Sequence, residues 1–386
     1  MKKVAIVVQR YGVEVNGGSE TYARMLAEHL VSHFEVEVLT TCALDYVTWA
    51  NHFPEGTSEI NGVMLRRFEV DKERDMQKFI DINDDKKKNI GTATDYEWND
   101  EQGPYCPKLI EYIKKKKDDY CTFIFVTYLY YLTVRGMELV SDKAILIPTA
   151  HDEPYLYFEI YKDIFAKPKA IVFLTDEEKE LVHNVFENEY ILSDVIGVGV
   201  EVPESGSFEV DKIPEGHENY LVYVGRIDLE KNCPELFSYF IEYKRRNPSS
   251  LKLYMIGSVK TPIPEHSDII SLGFVSDSDK FYYMERAKLL VLPSQYESLS
   301  FSVLESMTLG VPVIVNEKSE VLKGHCKKSN AGLYYASYEE FEGCINYLLV
   351  HDDVYDEMSL NAKEYIRTNY RWDVVVEKYK KIIESI

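Results

Sequence analysis

The chain has 386 residues, enough for two domains of ordinary size that each bury a hydrophobic core. Its 44 Lys and Arg residues stand against 65 Asp and Glu residues, which gives a formal net charge of −21. A surface of this charge repels phosphate backbones and anionic lipid. Composition therefore argues against a nucleic-acid-binding protein and against broad electrostatic adsorption to a membrane.

The cysteines and the apolar runs indicate a cytoplasmic protein. The six cysteines show no C-x-x-C spacing, which predicts reduced thiols rather than a disulfide framework. The apolar run 4–8 is ended by Gln9 and Arg10, too soon for a signal peptide. No run approaches the ~18 apolar residues of a membrane span. Weak peripheral contact with the inner face of the membrane is left open.

The first half of the chain alternates apolar strand patterns with helical patterns. Predicted strands cover residues 3–8, 35–40, 63–68, 122–126, 144–147, 170–174 and 191–198. Predicted helices follow the first strand, cover 129–140, and begin after Thr175, where Thr175 and Glu178 form a capping-box pattern. This alternation predicts a Rossmann-like α/β domain with a mainly parallel sheet.

A glycine pair, Gly17 and Gly18, lies between the first strand and its helix. A strand, a glycine pair and a helix bring backbone N–H groups close to a phosphate without obstruction by side chains. A plain tight turn is the alternative. On the same helix, His29 and His33 have the i,i+4 spacing of a metal pair. Because no third ligand accompanies them, the spacing favours ordinary helix-face residues, and no metal site is predicted.

The segment 71–119 is charged and mostly helical in pattern, and it contains the basic runs 86–88 and 114–117. Such runs can face a lipid or an anionic acceptor. Solvated helix faces are the favoured interpretation.

A histidine, His151, follows the predicted strand 144–147. Ligands in open α/β sheets bind beyond the carboxyl ends of strands, so this residue can donate a hydrogen bond to a ligand hydroxyl or help to place a proton. A capped loop histidine is the alternative. Downstream, residues 201–207 and their acidic continuation to about 217 predict a linker between two domains.

The second half opens with a predicted strand, 220–224, that is followed by Gly225, Arg226 and Lys231. An arginine and a lysine that leave a strand end can hold a diphosphate, whereas an exposed turn with two cations is the alternative. Further strands are predicted at 251–256, 269–273, 289–292 and 311–315, and helices at 280–286 and over most of 337–386. No Walker lysine loop or G-x-G-x-x-G is present, which argues against a P-loop NTPase and an NAD enzyme.

Two glutamates, Glu297 and Glu305, lie between the buried strand 289–292 and the helix stop at Gly310. An eight-residue step does not align two side chains on one helix, so Glu297 is predicted on the loop and Glu305 on the helix that follows. Loop amides and a helix N-terminus attract an anion, and a nearby carboxylate suits sugar hydroxyls. A nucleotide-sugar needs both. The alternative is a pair of surface acids.

The E-x7-E motif on a strand, loop and helix, followed by the G-x-P-V strand at Gly310, resembles the retaining glycosyltransferases of family 4. The resemblance extends over nearly the whole chain. It implies the GT-B fold, with two Rossmann-like domains that face each other across a cleft. It also implies an acceptor-side domain at 1–205, a donor-side domain at 206–370, and a helix at 371–386 that crosses back to the first domain.

The resemblance assigns donor-binding roles to the motif. Glu297 would contact the donor sugar's hydroxyls, Glu305 the ribose hydroxyls, and the backbone of Leu299, Ser300 and Phe301 the phosphates. Many relatives carry glycines where this sequence has Ser298 and Ser300, so the approach of this loop to the phosphate can differ.

Further roles implied by the resemblance lie elsewhere in the chain. Arg226 and Lys231 would neutralise the departing diphosphate, the backbone of Val275 and Ser276 would read the base, and His151 would lie beside the donor sugar. Gly17 and Gly18 would touch the donor phosphate or the acceptor. The chain's only D-x-D, at 277–279, binds a metal in the different GT-A class; here it precedes a helical pattern, which favours helix capping.

The function implied is a metal-independent, retaining transfer of a hexosyl unit from a UDP- or GDP-sugar to an acceptor hydroxyl, with no cofactor. The resemblance also implies a saccharide or lipid-linked saccharide acceptor, as in bacterial surface glycan synthesis. Two alternatives stay open. One is a nucleotide-sugar epimerase or hydrolase of the same fold, and the other is a non-catalytic protein that binds nucleotide-sugars.

Overall fold

A computed structural model describes residues 1–88, 90–203 and 219–386, and these divide into two compact units. Unit 1 comprises Met1–Val198 together with Trp372–Ile386, and unit 2 comprises Gly199–Arg371. The predicted boundary between residues 205 and 206, and most of the predicted linker, lie outside the described residues.

In the described part of unit 1, eight strands form one sheet. They are β1 (Lys3–Val7), β2 (Glu35–Thr41), β3 (Gly56–Ile60), β4 (Val63–Phe68), β5 (Thr122–Val126), β6 (Ala144–Ile147), β7 (Ala170–Phe173) and β8 (Leu192–Val195). Their order is β3-β4-β2-β1-β5-β6-β7-β8, and every neighbouring pair is parallel except β3 and β4. The carboxyl ends of β1 and β6 therefore lie at the same edge of this sheet.

The helices of unit 1 fill the connections between these strands. They are α1 (Gly18–Leu30), α2 (Met76–Lys87), α3 (Asp95–Gln102), α4 (Pro107–Lys116), α5 (Tyr131–Met137), α6 (Ile160–Ala166) and α7 (Asp176–Phe186). The predicted strands are confirmed to within a few residues, and the charged segment 71–119 supplies α2, α3 and α4. The predicted helix 129–140 is shorter, as α5. The lysines of the run 114–117 are exposed to solvent.

One strand of unit 1, β3, escaped the sequence analysis, as did the last strand of unit 2, Gly332–Tyr335. The strand β3 pairs antiparallel with β4 through the turn at Asn61 and Gly62, both of which have positive φ. It lies at the edge of the sheet, and four of its five residues are exposed. A strand with neither face buried carries no hydrophobic alternation, which is the signal on which the prediction depends.

The described part of unit 2 contains a six-stranded sheet. Its strands are β9 (Tyr220–Val224), β10 (Lys252–Ile256), β11 (Ile269–Gly273), β12 (Leu289–Leu292), β13 (Val313–Asn316) and β14 (Gly332–Tyr335), in the order β11-β10-β9-β12-β13-β14 with all neighbours parallel. Its helices are α8 (Cys233–Arg246), α9 (Asp277–Arg286), α10 (Phe301–Leu309), α11 (Glu320–Ser329), α12 (Tyr338–Val350) and α13 (Asp352–Asn369). Because β9 and β12 are buried on both faces, as their apolar sequences predict, helices cover both sides of this sheet.

The helix α14 (Trp372–Ser385) follows unit 2 in sequence but packs on unit 1. The indole of Trp372 stacks on the ring of His29 at 4.0 Å, and the hydroxyl oxygens of Tyr22 and Tyr379 are 2.5 Å apart in the core. The ring of His29 is thus part of a helix–helix contact, as its interpretation as a helix-face residue requires.

The described residues contain no helix long and apolar enough to cross a bilayer. All six cysteines lie within the described ranges, and none forms a disulfide.

Candidate active site

The strand order of unit 2 reverses beside β9. From β9 the chain proceeds outward to β10 and β11, and it then returns to place β12 on the other side of β9. Loops that leave the carboxyl ends of β9 and β12 therefore diverge and open a crevice, which is where ligands bind in doubly wound sheets. We call residues 225–231, after β9, the arginine loop, and residues 293–300, after β12, the glutamate loop.

The arginine loop is anchored on the extension of β10. A Cβ atom added to Gly257 would lie 1.9 Å from the carbonyl oxygen of Gly225, so the two strand ends touch backbone to backbone. Both glycines have positive φ, 153° for Gly225 and 141° for Gly257. The N–H of Ile227 then donates to the carbonyl oxygen of Ser258 at 2.9 Å. A side chain at Gly257 would push the arginine loop away from β10.

Both predicted cations leave the arginine loop beside carboxylates. The guanidinium of Arg226 lies 3.4 Å from Asp228 and 3.0 Å from Glu230. The Nζ atom of Lys231 lies 2.5 Å from Oε1 of Glu297, which brings two of the predicted residues from different loops into direct contact. This pair crosses the crevice between β9 and β12 and places a cation next to an acceptor of hydroxyl protons.

The glutamate loop ends at the N-terminus of α10. Ser300 precedes the helix with φ of 79°, a conformation that is costly for a residue with a side chain. Its hydroxyl forms no cap to the helix, so the first N–H groups of α10 are left to other acceptors. The backbone of Leu299, Ser300 and Phe301 therefore lies at the positive end of the dipole of α10.

Glu305 lies in α10, one turn beyond that N-terminus, as the sequence pattern predicts. Its side chain is 14% exposed, and its Oε1 accepts from Nζ of Lys280 on α9 at 2.8 Å. Burial raises the pKa of Glu305, and the nearby ammonium of Lys280 opposes that rise. Sequence reasoning missed Lys280, because only the fold brings α9 next to α10.

The predicted base-reading residues Val275 and Ser276 connect β11 to α9. The hydroxyl of Ser276 accepts from the N–H of Asp279 at 3.1 Å and caps the helix. The D-x-D thus occupies the first turn of α9, in accordance with the helix-capping interpretation, although the cap itself is Ser276. Among the described residues no group of three or more His, Cys, Asp and Glu is placed to hold a metal ion. Independence from metal stays a prediction.

In unit 1, the predicted glycine pair precedes α1. A Cβ atom added to Gly17 would lie 2.2 Å from Oε2 of Glu20, whereas one added to Gly18 would meet nothing within 4 Å. Glu20 forms a buried ion pair with Arg10 at 2.5 Å, and Arg10 also donates to the carbonyl oxygen of Leu44. Gly17 is therefore required by this cluster of polar side chains, which sequence reasoning missed. The available sequence signal for this cluster was Arg10, a charged residue that closely follows the apolar run 4–8.

His151 follows β6 at the same edge of the sheet. Its Nδ1 lies 3.4 Å from Oε1 of Glu153, and the hydroxyl of Tyr128 donates to that same oxygen at 2.9 Å. Thr149, two residues earlier, has φ of 52°, and Thr127 at the end of β5 has φ of 74°. Two β-branched residues in this region are strained, and strain of this kind concentrates at functional loops.

A buried glutamate supports the loop that carries His151. The carboxylate of Glu178 accepts from the N–H of Ala150 at 2.6 Å and from the N–H of Leu174 at 2.7 Å. The predicted capping box is therefore half correct. The hydroxyl of Thr175 does accept from the N–H of Glu178, but the carboxylate joins β6 to β7 instead of closing the box. Burial raises the pKa of Glu178 to about 8.

Sequence comparison relates the second unit to a known family. Residues 207–365 match the family model of the glycosyl transferases group 1. The matched range includes the arginine loop, the glutamate loop and Glu305, together with Val275 and Ser276.

The curated relatives of this chain are distant. It is 23% identical over 183 residues, 44% of the chain, to the glycosyltransferase 1 domain-containing protein 1 of Xenopus tropicalis, and covers 52% of that protein. It is 24% identical over 230 residues, 57% of the chain, to the poly(ribitol-phosphate) alpha-N-acetylglucosaminyltransferase of Staphylococcus aureus (strain COL), and covers 44% of it. The chain thus spans about half the length of the curated relatives it matches.

Solved structures share its fold over the full length. The sucrose-phosphate synthase of Thermosynechococcus elongatus superposes with a TM-score of 0.73 at 15% identity, covering 100% of this chain and 99% of that one. The Anabaena protein Alr3699/HepE, solved in complex with UDP and glucose, superposes with a TM-score of 0.68 at 12% identity and 100% coverage of both. The α/β fold predicted from the sequence, GT-B, is confirmed.

Proposed function

We propose that this chain is a retaining glycosyltransferase that moves a hexosyl unit from a nucleotide-diphosphate sugar to a hydroxyl group of an acceptor. The observation that carries the proposal is the contact between Lys231 and Glu297 at the reversal point of unit 2, beside the N-terminus of α10. A diphosphate needs a cation and N–H donors, and a sugar hydroxyl needs an acceptor. The ion pair supplies the cation, Lys231, and the acceptor, Glu297, and the N-terminus of α10 supplies the N–H donors.

The donor would lie across the carboxyl ends of β9 and β12. Lys231 and Arg226 would contact the diphosphate together with the N–H groups of residues 299–301, and Glu297 would accept from hydroxyls of the transferred sugar. Glu305, whose Oε1 lies 2.8 Å from Nζ of Lys280, would accept from the ribose hydroxyls. The backbone at Val275 and Ser276 would contact the base.

The chemical demand is greatest when the bond between the anomeric carbon and the diphosphate oxygen breaks. The electron pair of that bond passes to the diphosphate, the acceptor oxygen bonds to the anomeric carbon, and the proton of the acceptor hydroxyl passes to the departing diphosphate. Arg226, Lys231 and the N–H groups at the start of α10 would stabilise the negative charge that develops. Because these groups are positioned before the reaction, they need little reorganisation when the charge appears.

In unit 1, His151 is proposed to contact the donor sugar. Glu153 faces its Nδ1, and Tyr128 holds Glu153 in place, so the imidazole is presented with Nδ1 turned toward the carboxylate. The imidazole is proposed to contact a sugar hydroxyl. Gly17 and Gly18 are proposed to admit the donor phosphate or the acceptor to the N-terminus of α1.

The identities of donor and acceptor are proposals as well. UDP-sugars are to be tested before GDP-sugars, since a solved relative of the same fold was crystallised with UDP and glucose. A saccharide or lipid-linked saccharide acceptor, bacterial surface glycan synthesis and weak peripheral membrane contact are proposed from the resemblance. One relative, a poly(ribitol-phosphate) alpha-N-acetylglucosaminyltransferase, supports a role in glycan synthesis.

A thermal-shift panel of UDP-, GDP- and ADP-sugars tests donor binding, because a ligand that binds the folded protein raises its melting temperature. The donor that stabilises is then incubated alone and with saccharide acceptors. Proton NMR of the anomeric position distinguishes retention from inversion. An epimer or free sugar from donor alone favours an epimerase or hydrolase, and stabilisation without turnover favours a non-catalytic binding protein.

A matched pair of lysine variants tests whether the donor binds in this crevice. Lys231→Met removes the cation that contacts Glu297, whereas Lys288→Met removes an exposed lysine at the amino end of β12, at the opposite edge of the sheet. Loss of donor stabilisation in Lys231→Met with retention in Lys288→Met is expected. Equal donor stabilisation in both variants would remove the basis of the proposal.

A further inference from the structure

A histidine in unit 2 that sequence analysis did not single out contacts the glutamate loop. His325 lies on α11 and is 2% exposed. Its Nε2 lies 2.8 Å from the carbonyl oxygen of Leu299. On the other side of the ring, Nδ1 lies 3.1 Å from the hydroxyl of Tyr365 and 3.4 Å from that of Tyr370.

These contacts fix the state of the ring. A carbonyl oxygen can only accept, so Nε2 carries the proton and donates to Leu299. Nδ1 is then the acceptor, and a tyrosine hydroxyl donates to it. Burial lowers the pKa of His325 to about 4, against a smaller opposing effect of the hydrogen bond to Leu299, so the ring is neutral at physiological pH. A neutral donor can hold the carbonyl without adding charge to the crevice.

The bond to Leu299 determines where the next N–H group points. The C=O of Leu299 and the N–H of Ser300 belong to one planar trans peptide, and in such a peptide the two groups point in opposite directions. Holding the carbonyl against His325 therefore turns the Ser300 N–H away from α11. Among the described residues, no hydrogen bond from this N–H is recorded.

The same peptide enters a strained residue. Ser300 has φ of 79°, a conformation that strains a residue with a side chain. A strained conformation persists only where neighbouring contacts specify it. The hydrogen bond from buried His325 is such a contact, directly on the peptide that precedes the strained residue.

We propose that His325 is a positioning residue for the donor diphosphate, acting through the Leu299–Ser300 peptide. By fixing the carbonyl of Leu299, it presents the N–H of Ser300 to the diphosphate at the N-terminus of α10. This inference rests on the proposed function, because it assumes that a nucleoside diphosphate binds in this crevice. His325 lies outside the E-x7-E motif, and it would determine how the glutamate loop approaches the diphosphate.

Two conservative variants separate the contacts of the ring. In His325→Gln the amide nitrogen stands near the position of Nε2 and can still donate to Leu299. In His325→Asn the shorter amide stands near Nδ1, so it can keep a partner in Tyr365 but does not reach Leu299. Both variants place a polar side chain in the same buried position, so they share the desolvation cost.

The probes are UDP, GDP and ADP with the matching nucleosides, each measured by calorimetry against the full chain. The diphosphate that the wild type binds most tightly is used for the variants. We expect His325→Asn to weaken its binding about tenfold or more and to change binding of the matching nucleoside less than about twofold. His325→Gln should recover most of the diphosphate affinity.

Three results would overturn the inference: unchanged diphosphate binding in folded His325→Asn, an equal loss for diphosphate and nucleoside, or a His325→Gln variant no better than His325→Asn. The equal loss is what a purely structural histidine would produce. Failure of the wild type to bind any of the three diphosphates would instead reject the proposed function itself. That result is recognised before any variant is made.

Discussion

Replacing Glu178 with glutamine should remove a pH dependence from the stability of unit 1. The carboxyl group is 1% exposed, and its recorded partners are the N–H groups of Ala150 and Leu174. Burial raises its pKa from 4.5 to about 8. At about 1.4 kcal/mol per pH unit, this difference corresponds to about 5 kcal/mol.

The sign follows from the number of protons bound. Between about pH 4.5 and about pH 8 the folded chain keeps the proton of Glu178 that the unfolded chain releases. The free energy of unfolding therefore falls as pH rises through this window, by about 5 kcal/mol from this group alone. Glutamine cannot ionise. It does lose one acceptor oxygen, which lowers stability by about 1–3 kcal/mol at every pH.

Tryptophan fluorescence is a selective assay for this effect, since all three tryptophans, at 49, 98 and 372, lie in unit 1. Urea unfolding of wild type and Glu178→Gln over the pH window should show a stability difference that favours the wild type at low pH and shrinks or reverses at high pH. Glu180→Gln, on the exposed face of the same helix, should run parallel to the wild type. A wild-type minus Glu178→Gln difference that is constant with pH would refute the reasoning.

Two further variants test the donor crevice. Arg226→Ala should slow turnover about a hundredfold or more, because one lost contact to a developing oxyanion costs ~3–4 kcal/mol. The control Arg245→Ala, at the far end of α8, should leave the rate within about twofold of the wild type. Steady-state kinetics measure both variants, and equal rates would show that the assignment of Arg226 is wrong. Lys280→Met leaves the carboxylate of Glu305 buried without its cation, which raises its pKa further. Calorimetry should then show nucleotide affinity that increases with pH more steeply than in the wild type, and parallel pH profiles would contradict this.

The parallel sheets could be predicted because their strands are buried on both faces. The run that forms β6 and the run that forms β12 are wholly apolar, and no helix of ordinary amphipathic pattern shares that feature. Edge strand β3 lacked this signal, since its residues face water on both sides. The sequence therefore predicted the buried strands and with them the fold class, but it did not predict the exposed edge strand β3.

In the candidate site, residues close together in sequence were accessible to prediction. Glu297 lies on the glutamate loop and Glu305 on the helix α10 that follows it, and their spacing in the sequence predicted both positions. His325 and Lys280 act on that same segment from α11 and α9, and nothing local to either residue indicates its partner. Their contacts with Leu299 and Glu305 exist only after parallel strands bring distant helices side by side.

The same limit applies to Glu178. Its sequence context predicted a helix start, and Thr175 does cap that helix. The carboxylate nevertheless turns toward β6, because two neighbouring strand ends offer unpaired N–H groups there. A local pattern gives the helix boundary, but the competing acceptor role depends on the sheet order, which a single segment does not encode.

The packing of α14 on α1 has a consequence for how the protein is made. A ribosome releases residues 1–198 before unit 2, yet the helix that covers Tyr22 and His29 is translated after unit 2. The unit that is synthesised first is thus the one completed last, and its nascent form must shield an apolar helix face until then. Moving residues 372–386 ahead of Met1 by circular permutation would let that unit close at once, and earlier acquisition of its native fluorescence during translation in vitro would reveal the delay.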